Sequence, residues 1–260
     1  MILHPAGHTR SPTLHRAAYA ALGIDAVYLA FDVPPARLAD AIQGARALGV
    51  RQLSISLPHK ETVMPLLDAV DETARRIGAV NTVVREGEHL VGYNTDWLGA
   101  VQALERERKL SGLRAVVLGA GGAARGVVFG LLRRGARVTV LNRTSVRAVE
   151  LARELGGEAG GGLEEIGKLA FDILINTTSI GLRSDKSPVA ADAIPPDSLV
   201  MDAVYEPERT RLLRDAEARG ARTLSGKWML VLQAAEQLRL WTGREAPVEA
   251  MAAAFDRAGG

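Results

Sequence analysis

The chain has 260 residues, 47% hydrophobic and 24% charged, with a formal net charge of +2 and no cysteine. That length holds one large domain or two modest ones. The near-neutral balance gives no global argument for nucleic acid, and the lack of cysteine excludes disulfides, thiolate metal sites and cysteine nucleophiles. No apolar run reaches spanning length, and the N-terminus lacks the basic region and apolar core of a signal peptide. The expected compartment is therefore the cytoplasm, with no membrane partner and no metal.

Strands and helices alternate along the chain. Ser11-Pro12 predicts a helix start, with serine as N-cap and proline at the first helical position. That helix runs through Ala20 to Gly23. Val27 to Phe31 reads as a strand, Pro35 to Ala47 as a helix, and Gln52 to Leu57 as a second strand. Helical segments are expected from Lys60 to Val70 and from Asp71 to Ile77. Val80 to Arg85 and His89 to Tyr93 read as a hairpin. Trp97 to Arg108 is an amphipathic helix, after which the pattern changes.

Arg114 to Leu118 is a short apolar strand, followed by glycines and a helix from Gly122 to Arg134. Arg137 to Leu141 and Val146 to Leu155 repeat the strand–helix unit. Gly156 to Gly162 reads as a loop. Phe171 to Asn176, Leu199 to Asp202 and Arg222 to Leu224 are further strands, and Met229 to Trp241 and Pro247 to Ala258 are closing helices. This alternation predicts an α/β protein with mostly parallel sheets covered by helices.

The segment Val116-Val117-Leu118-Gly119-Ala120-Gly121-Gly122-Ala123-Ala124 has the strand, glycine turn and helix of a dinucleotide site. Gly119 would make the tight turn, Gly121 and Gly122 with Ala123 would let a pyrophosphate approach the backbone, and Ala124 would allow close helix–strand packing. The next strand ends without the acidic residue that holds a ribose 2′-hydroxyl. It carries Asn142, Arg143, Thr144 and Arg147 instead, two cations with hydrogen-bonding neighbours, which favours the 2′-phosphate of NADP.

Reduction of a carbonyl needs a proton donor as well as a hydride. Only five of the 32 basic residues are lysines. Lysine, unlike arginine, can give up its proton. Lys60 stands where the strand Ser54-Ile55-Ser56 ends at Leu57-Pro58, and Asp96 is a candidate partner. Thr9, Ser11, Ser56 and Asn81 are neutral hydrogen-bonding groups near element ends and suit a polyhydroxylated substrate. Each also has a local reading: Ser11 and Asp96 as helix caps, Asn81 as a hairpin residue.

Here the chain resembles the shikimate dehydrogenases. Their His-Ser-x-Ser-Pro-x-x-His motif is matched by His8-Thr9-Arg10-Ser11-Pro12-Thr13-Leu14-His15, and their Asn-Val-Thr-x-Pro-x-Lys by Ser54 to Lys60. Ala79-Val80-Asn81-Thr82, Asn94-Thr95-Asp96, the Gly119 turn, Asn142-Arg143-Thr144 and Asn176-Thr177-Thr178-Ser179 also fit, as does the helix Met229 to Ala235. The resemblance implies a discontinuous α/β substrate domain (1–100 and 232–260) and a Rossmann-type doubly wound parallel sheet (101–231). It implies NADP-dependent, reversible reduction of 3-dehydroshikimate to shikimate, with Lys60 and Asp96 as catalytic pair. Thr9, Ser11, Ser56, Asn81, Tyr205 and Gln233 would hold substrate, and Thr177, Thr178 and Gly226 would join the cofactor set.

The expected partners are that small molecule and a second copy of the chain in a homodimer. Alternative readings are a quinate or other cyclohexane-polyol dehydrogenase, and an NADP-binding sensor without catalysis. The chain departs from the family pattern at four places. Its first strand is short, with Leu3 in place of a glycine, so a late start or a shortened strand is expected. Thr9 replaces serine, Ser54 replaces asparagine, and Trp228 stands at a glycine position. The Ser54 departure predicts a lost amide donor to the substrate.

Overall fold

A computed structural model describes residues 1–7 and 9–258. His8 of the N-terminal motif lies outside the described residues. In chain order the elements are β1 (Ile2–Leu3), α1 (Ser11–Leu22), β2 (Phe31–Asp32), α2 (Leu38–Ala47), β3 (Gln52–Ser54), β4 (Ala69–Val70), α3 (Glu72–Ile77), β5 (Thr82–Glu86), β6 (His89–Tyr93) and α4 (Asp96–Glu105). Then follow β7 (Arg114–Leu118), α5 (Gly122–Arg133), β8 (Arg137–Leu141), α6 (Ser145–Leu155), β9 (Ala159–Gly161), β10 (Ile173–Asn176) and β11 (Leu199–Asp202). The chain closes with α7 (Arg211–Ala218), β12 (Arg222–Leu224), α8 (Gly226–Thr242) and α9 (Val248–Arg257). It forms two compact units: Met1–Asp96 together with the chain from Val231 onward, and Trp97–Leu230.

In the first unit a four-stranded sheet has the order β3-β5-β6-β4, with β3 and β6 antiparallel to β5. A parallel pair, β1-β2, joins it through a bridge between Ile2 and Ile55. Alternation puts Leu53, Ile55, Val83 and Leu90 into one core with Ile42 of α2, all at most 4% exposed. Burying each such side chain contributes about 1.5–3 kcal/mol.

The second unit is a six-stranded parallel sheet in the order β12-β11-β10-β7-β8-β9. This is the doubly wound arrangement in which strand order reverses beside the first strand, here β7. Residues Ala115 to Leu118 of β7 are buried throughout, the continuous apolar run of a strand covered on both faces. The α/β class and the parallel Rossmann-type sheet agree with the sequence pattern.

Four local expectations are corrected. The strand at 27–31 shrinks to Phe31–Asp32, because β1 offers partners only at Ile2 and Leu3; Val27 is 82% exposed. The helix expected over 60–70 is a run of turns, a 3₁₀ turn at Met64–Leu66 and then β4. Pro65 sits in that turn and has no N–H to extend a helix. The glycine-rich 156–162 segment contains a true strand, β9, paired with β8. A Cβ at Gly160 would lie 2.5 Å from the Ala148 backbone, so close packing by α6 selects glycine there. Finally, Ser11 is the first residue of α1 and not its cap. The Thr9 hydroxyl accepts the Ser11 N–H at 3.2 Å instead.

Candidate active site

In the first unit the site is built where main chain is tied across strand ends. Val80 N–H donates to the Lys60 carbonyl at 2.7 Å, and Ile55 N–H to that of Asn81 at 2.8 Å. The buried His59 ring nitrogen Nε2 bonds the Val33 carbonyl at 2.8 Å and anchors the turn that carries Lys60. Asp96 is the first residue of α4, and its own N–H bonds Asn94 Oδ1 at 3.0 Å. The Asp96 side chain is thus not a helix cap. It is held by two other groups.

Lys60 Nζ donates to Asp96 Oδ2 at 2.6 Å, with the two side chains 13% and 6% exposed. Asn81 Nδ2 donates to Asp96 Oδ1 at 2.9 Å. A buried ion pair is costly to dehydrate unless its remaining lone pairs are satisfied, and here both carboxylate oxygens are. Asn81 Nδ2 also faces Gln233 Oε1 at 3.2 Å and Thr95 Oγ1 at 2.9 Å. The backbone N–H of Thr95 holds Asn81 Oδ1 at 2.7 Å. The structure therefore brings Lys60, Asp96, Asn81 and Gln233 into one connected group. Ser11 is buried, with a hydroxyl not spent on the helix cap, while Thr9 and Ser56 are half-buried. The Thr9 hydroxyl donates to Met1 Sδ at 3.3 Å.

Gln237, Tyr28 and His15 carry hydrogen bonds in this unit that the sequence reading missed. Ser54 Oγ donates to Gln237 Oε1 at 2.9 Å and receives the Tyr28 hydroxyl at 2.5 Å. Gln237 Nε2 donates to Gln233 Oε1 at 3.1 Å. The available signal was spacing: positions 233 and 237 share one face of a helix.

In the second unit, β7 delivers the chain to Gly119, whose φ of +112° is open to glycine and strained for other residues. A Cβ there would also strike Thr177 Oγ1 at 2.6 Å. Gly121 is different. Its backbone is extended, and a Cβ would meet nothing within 4 Å. Its missing side chain leaves open space against the N-terminus of α5, where the N–H groups of Gly122, Ala123 and Ala124 have no intrahelical acceptors.

Beyond β8, Asn142 is half-buried and donates to the Thr144 carbonyl at 3.0 Å. Arg143, Thr144 and Arg147 are exposed, and neither arginine pairs with an acid among the described residues. Two unspent guanidiniums beside an open helix terminus fit the phosphates of NADP.

Thr177 and Thr178 are half-buried, and their hydroxyls are held by the Leu118 carbonyl at 2.6 Å and Asn176 Oδ1 at 2.7 Å. Asn176 in turn donates to Asp202 Oδ1 at 2.9 Å. Burial pushes the Asp202 carboxyl up to about 6. Gly226 opens α8 with the Ala203 carbonyl 2.5 Å from where a Cβ would be, so its lack of a side chain serves packing against the end of β11. Tyr205 lies half-buried in the loop after β11. The Trp228 ring is covered by Arg106, 3.9 Å from its centroid. No His/Cys/Asp/Glu cluster able to hold a metal occurs among the described residues, and no helix is long and apolar enough to cross a membrane.

A reversing parallel sheet with an open glycine turn, and a buried lysine–carboxylate pair, define the class: a dinucleotide-dependent oxidoreductase. Three family models cover most of the chain. They describe a shikimate dehydrogenase substrate binding domain (1–83), shikimate/quinate 5-dehydrogenase (101–184) and a shikimate 5′-dehydrogenase C-terminal domain (226–254). The chain is 49% identical over 256 residues to the shikimate dehydrogenase (NADP(+)) of Haloarcula marismortui, covering 96% of this chain and 95% of that one. It is 49% identical over 243 residues to that of Thermococcus kodakarensis, covering 92% and 88%. Among solved structures, shikimate 5-dehydrogenase from Thermus thermophilus in complex with NADP(H) and shikimate matches with a TM-score of 0.92 at 40% identity, covering 99% and 97%. The chain belongs to the shikimate dehydrogenase family.

Proposed function

We propose that this protein is an NADP-dependent shikimate dehydrogenase, interconverting 3-dehydroshikimate and shikimate. The observation that carries the reading is the Lys60–Asp96 pair, 2.6 Å apart and nearly sealed from water, with Asn81 holding the second carboxylate oxygen. Bound NADPH supplies the hydride in the reducing direction, and NADP⁺ accepts it in reverse. The protein's own task is the proton. As the carbonyl carbon of 3-dehydroshikimate gains the hydride, its oxygen takes a proton from the Lys60 ammonium; in the oxidation of shikimate the same nitrogen takes the hydroxyl proton back. Asp96 fixes the position of Nζ and balances its charge. Ser11, Ser56, Asn81, Gln233 and Thr9 supply neutral donors and acceptors for the ring hydroxyls and carboxylate, and Tyr205 is assigned to the same substrate.

Arg143 and Arg147, with Asn142 and Thr144, hold the 2′-phosphate, and the Gly121–Ala123 turn holds the pyrophosphate. Thr177 and Thr178 shape the floor of that turn through their own hydrogen bonds. The proposed setting is the cytoplasm, and the proposed assembly a homodimer, to be read by sedimentation. A steady-state assay of the purified protein with shikimate or quinate, each with NADP⁺ or NAD⁺, tests the reading. The expected order is shikimate with NADP⁺ first. A preference for quinate or for NAD⁺ selects the polyol-dehydrogenase alternative, and NADP⁺ binding without turnover selects a sensor.

A further inference from the structure

Gln237 is 2% exposed and lies one helical turn beyond Gln233 on α8. A buried carboxamide is costly unless both its ends are bonded. Its nitrogen end faces the Asn81 backbone carbonyl at 3.4 Å and Gln233 Oε1 at 3.1 Å. A backbone carbonyl can only accept, so this neighbour fixes which end of the Gln237 amide is nitrogen. The oxygen end then accepts from Ser54 Oγ at 2.9 Å and from His15 Nε2 at 3.3 Å.

His15 is fully buried and stacked on Tyr28, with ring centroids 4.1 Å apart. Burial lowers its pKa to about 3, so the ring is neutral and carries one proton, on the nitrogen facing Gln237. At the far end of the chain of bonds, the Thr95 N–H on Asn81 Oδ1 fixes the Asn81 amide in the same way. Gln233 Oε1 consequently receives two donors, Asn81 Nδ2 and Gln237 Nε2.

We propose that Gln237 is a positioning residue for substrate binding: with Ser54 and His15 behind it, it locks the Gln233 carboxamide in the single orientation that turns its NH₂ group to the substrate. The inference rests on the shikimate reading for the identity of that substrate. It also gives the serine at position 54 a reason. The small side chain leaves room for the Gln237 head group, with the Tyr28 hydroxyl closing the other side. The amide function that a longer residue at 54 would carry is supplied indirectly, through Gln237 and Gln233.

The test is Gln237→Leu, which keeps size and removes the amide. Of the bonds this removes, the one to Gln233 Oε1 reaches the substrate-binding amide, and its loss is expected to raise the shikimate KM about tenfold while kcat changes by less than about twofold. The KM for NADP⁺ should not move. In a double-mutant cycle, Gln233→Ala and Gln233→Ala/Gln237→Leu should show the same shikimate KM, because the second change has nothing left to position. Additive effects, or an unchanged KM in Gln237→Leu, would overturn the proposal.

A second measurement needs no turnover. With ¹⁵N-glutamine labelling, the Gln233 side-chain NH₂ pair, assigned by its loss in Gln233→Ala, should lie away from the random-coil carboxamide position in the wild type and move toward it in Gln237→Leu. An unchanged pair overturns the positioning role. Should the wild type not oxidise shikimate, the functional reading falls while this measurement still decides the role of Gln237. Ser54→Ala is the reserve variant if Gln237→Leu does not fold. It should loosen the same NH₂ pair and raise the KM about threefold, by removing one of the two bonds on Gln237 Oε1.

Discussion

In the first unit, polar groups close on one another. Both oxygens of Asp96 are taken, by Lys60 and Asn81, and Gln233 and Gln237 continue the chain of bonds to Ser54 and His15. In the second, the candidate nucleotide groups stay open: Gly121 borders empty space, and Arg143 and Arg147 are exposed with no acid partner among the described residues. The difference follows from what each ligand brings. Phosphates carry their own charge and ask only for unspent N–H groups and cations. A hydride-transfer substrate must meet a proton donor already fixed in place, which a satisfied, water-poor network provides.

Breaking the network should have the largest effect. Lys60→Met removes the proton donor, and kcat for shikimate oxidation should fall by roughly 10²–10⁴-fold, with NADP⁺ binding by titration unchanged. The open side responds differently. Arg143→Ala combined with Arg147→Ala should weaken NADP⁺ about 10–100-fold, read by calorimetry, and leave NAD⁺ affinity nearly as before, since only the 2′-phosphate loses partners.

The two glycines of the turn sharpen the contrast. Gly119→Ala forces a side chain into a φ of +112° and against Thr177, costing about 1–3 kcal/mol in denaturant unfolding. Gly121→Ala has extended backbone and free space, so stability should hold while NADP⁺ affinity falls. Equal stability losses at both positions would mean that Gly121 packs against protein and not against a ligand.

Smaller effects test the buried side chains. Restoring a larger amide by Ser54→Asn looks favourable from the motif alone. The packing of Ser54 between Tyr28 and Gln237 predicts instead a loss of about 1–3 kcal/mol by overpacking. The two units should also differ in acid. Asp202 has a carboxyl raised from 3.8 to about 6, so the folded state keeps a proton that the unfolded chain has released. Its contribution falls as pH rises from about 4 through 6, and Asp202→Asn should flatten that slope and raise Tm at neutral pH. His15, lowered from 6.5 to about 3, acts the other way: stability is lost as pH drops below about 6.5. Hydrogen exchange at pH 4.5 and 6.5 reads each unit separately.

Much of this was legible because the informative residues stand at strand ends, where chemistry and turn geometry select few residue types. Lys60, Asp96, Asn81 and the Gly119 turn stand out in the sequence alone. What escaped was decided by packing across the fold. β9 has glycine at two of its three positions, and at Gly160 the backbone of Ala148 in α6 leaves no room for a Cβ, whereas composition alone spells loop. Residues 27–30 have a strand's apolar pattern but no strand partner beyond Met1. Gln237 looks like any polar helix residue until its neighbours from 54, 81 and 15 are seen around it. The same holds for Ser54, whose hydroxyl bonds Gln237 Oε1, a contact that the motif alone does not reveal.

The proposed chemistry rests on a preassembled Lys60–Asp96 proton site working with NADP on shikimate. The most direct measurement is the initial rate of NADPH formation from shikimate and NADP⁺, wild type against Lys60→Met, at matched and saturating ligand. The expected result is steady turnover in the wild type and a loss of roughly 10²-fold or more in the variant with the fold intact. Equal rates in the two proteins, or no NADPH from either while NADP⁺ still binds, would contradict it.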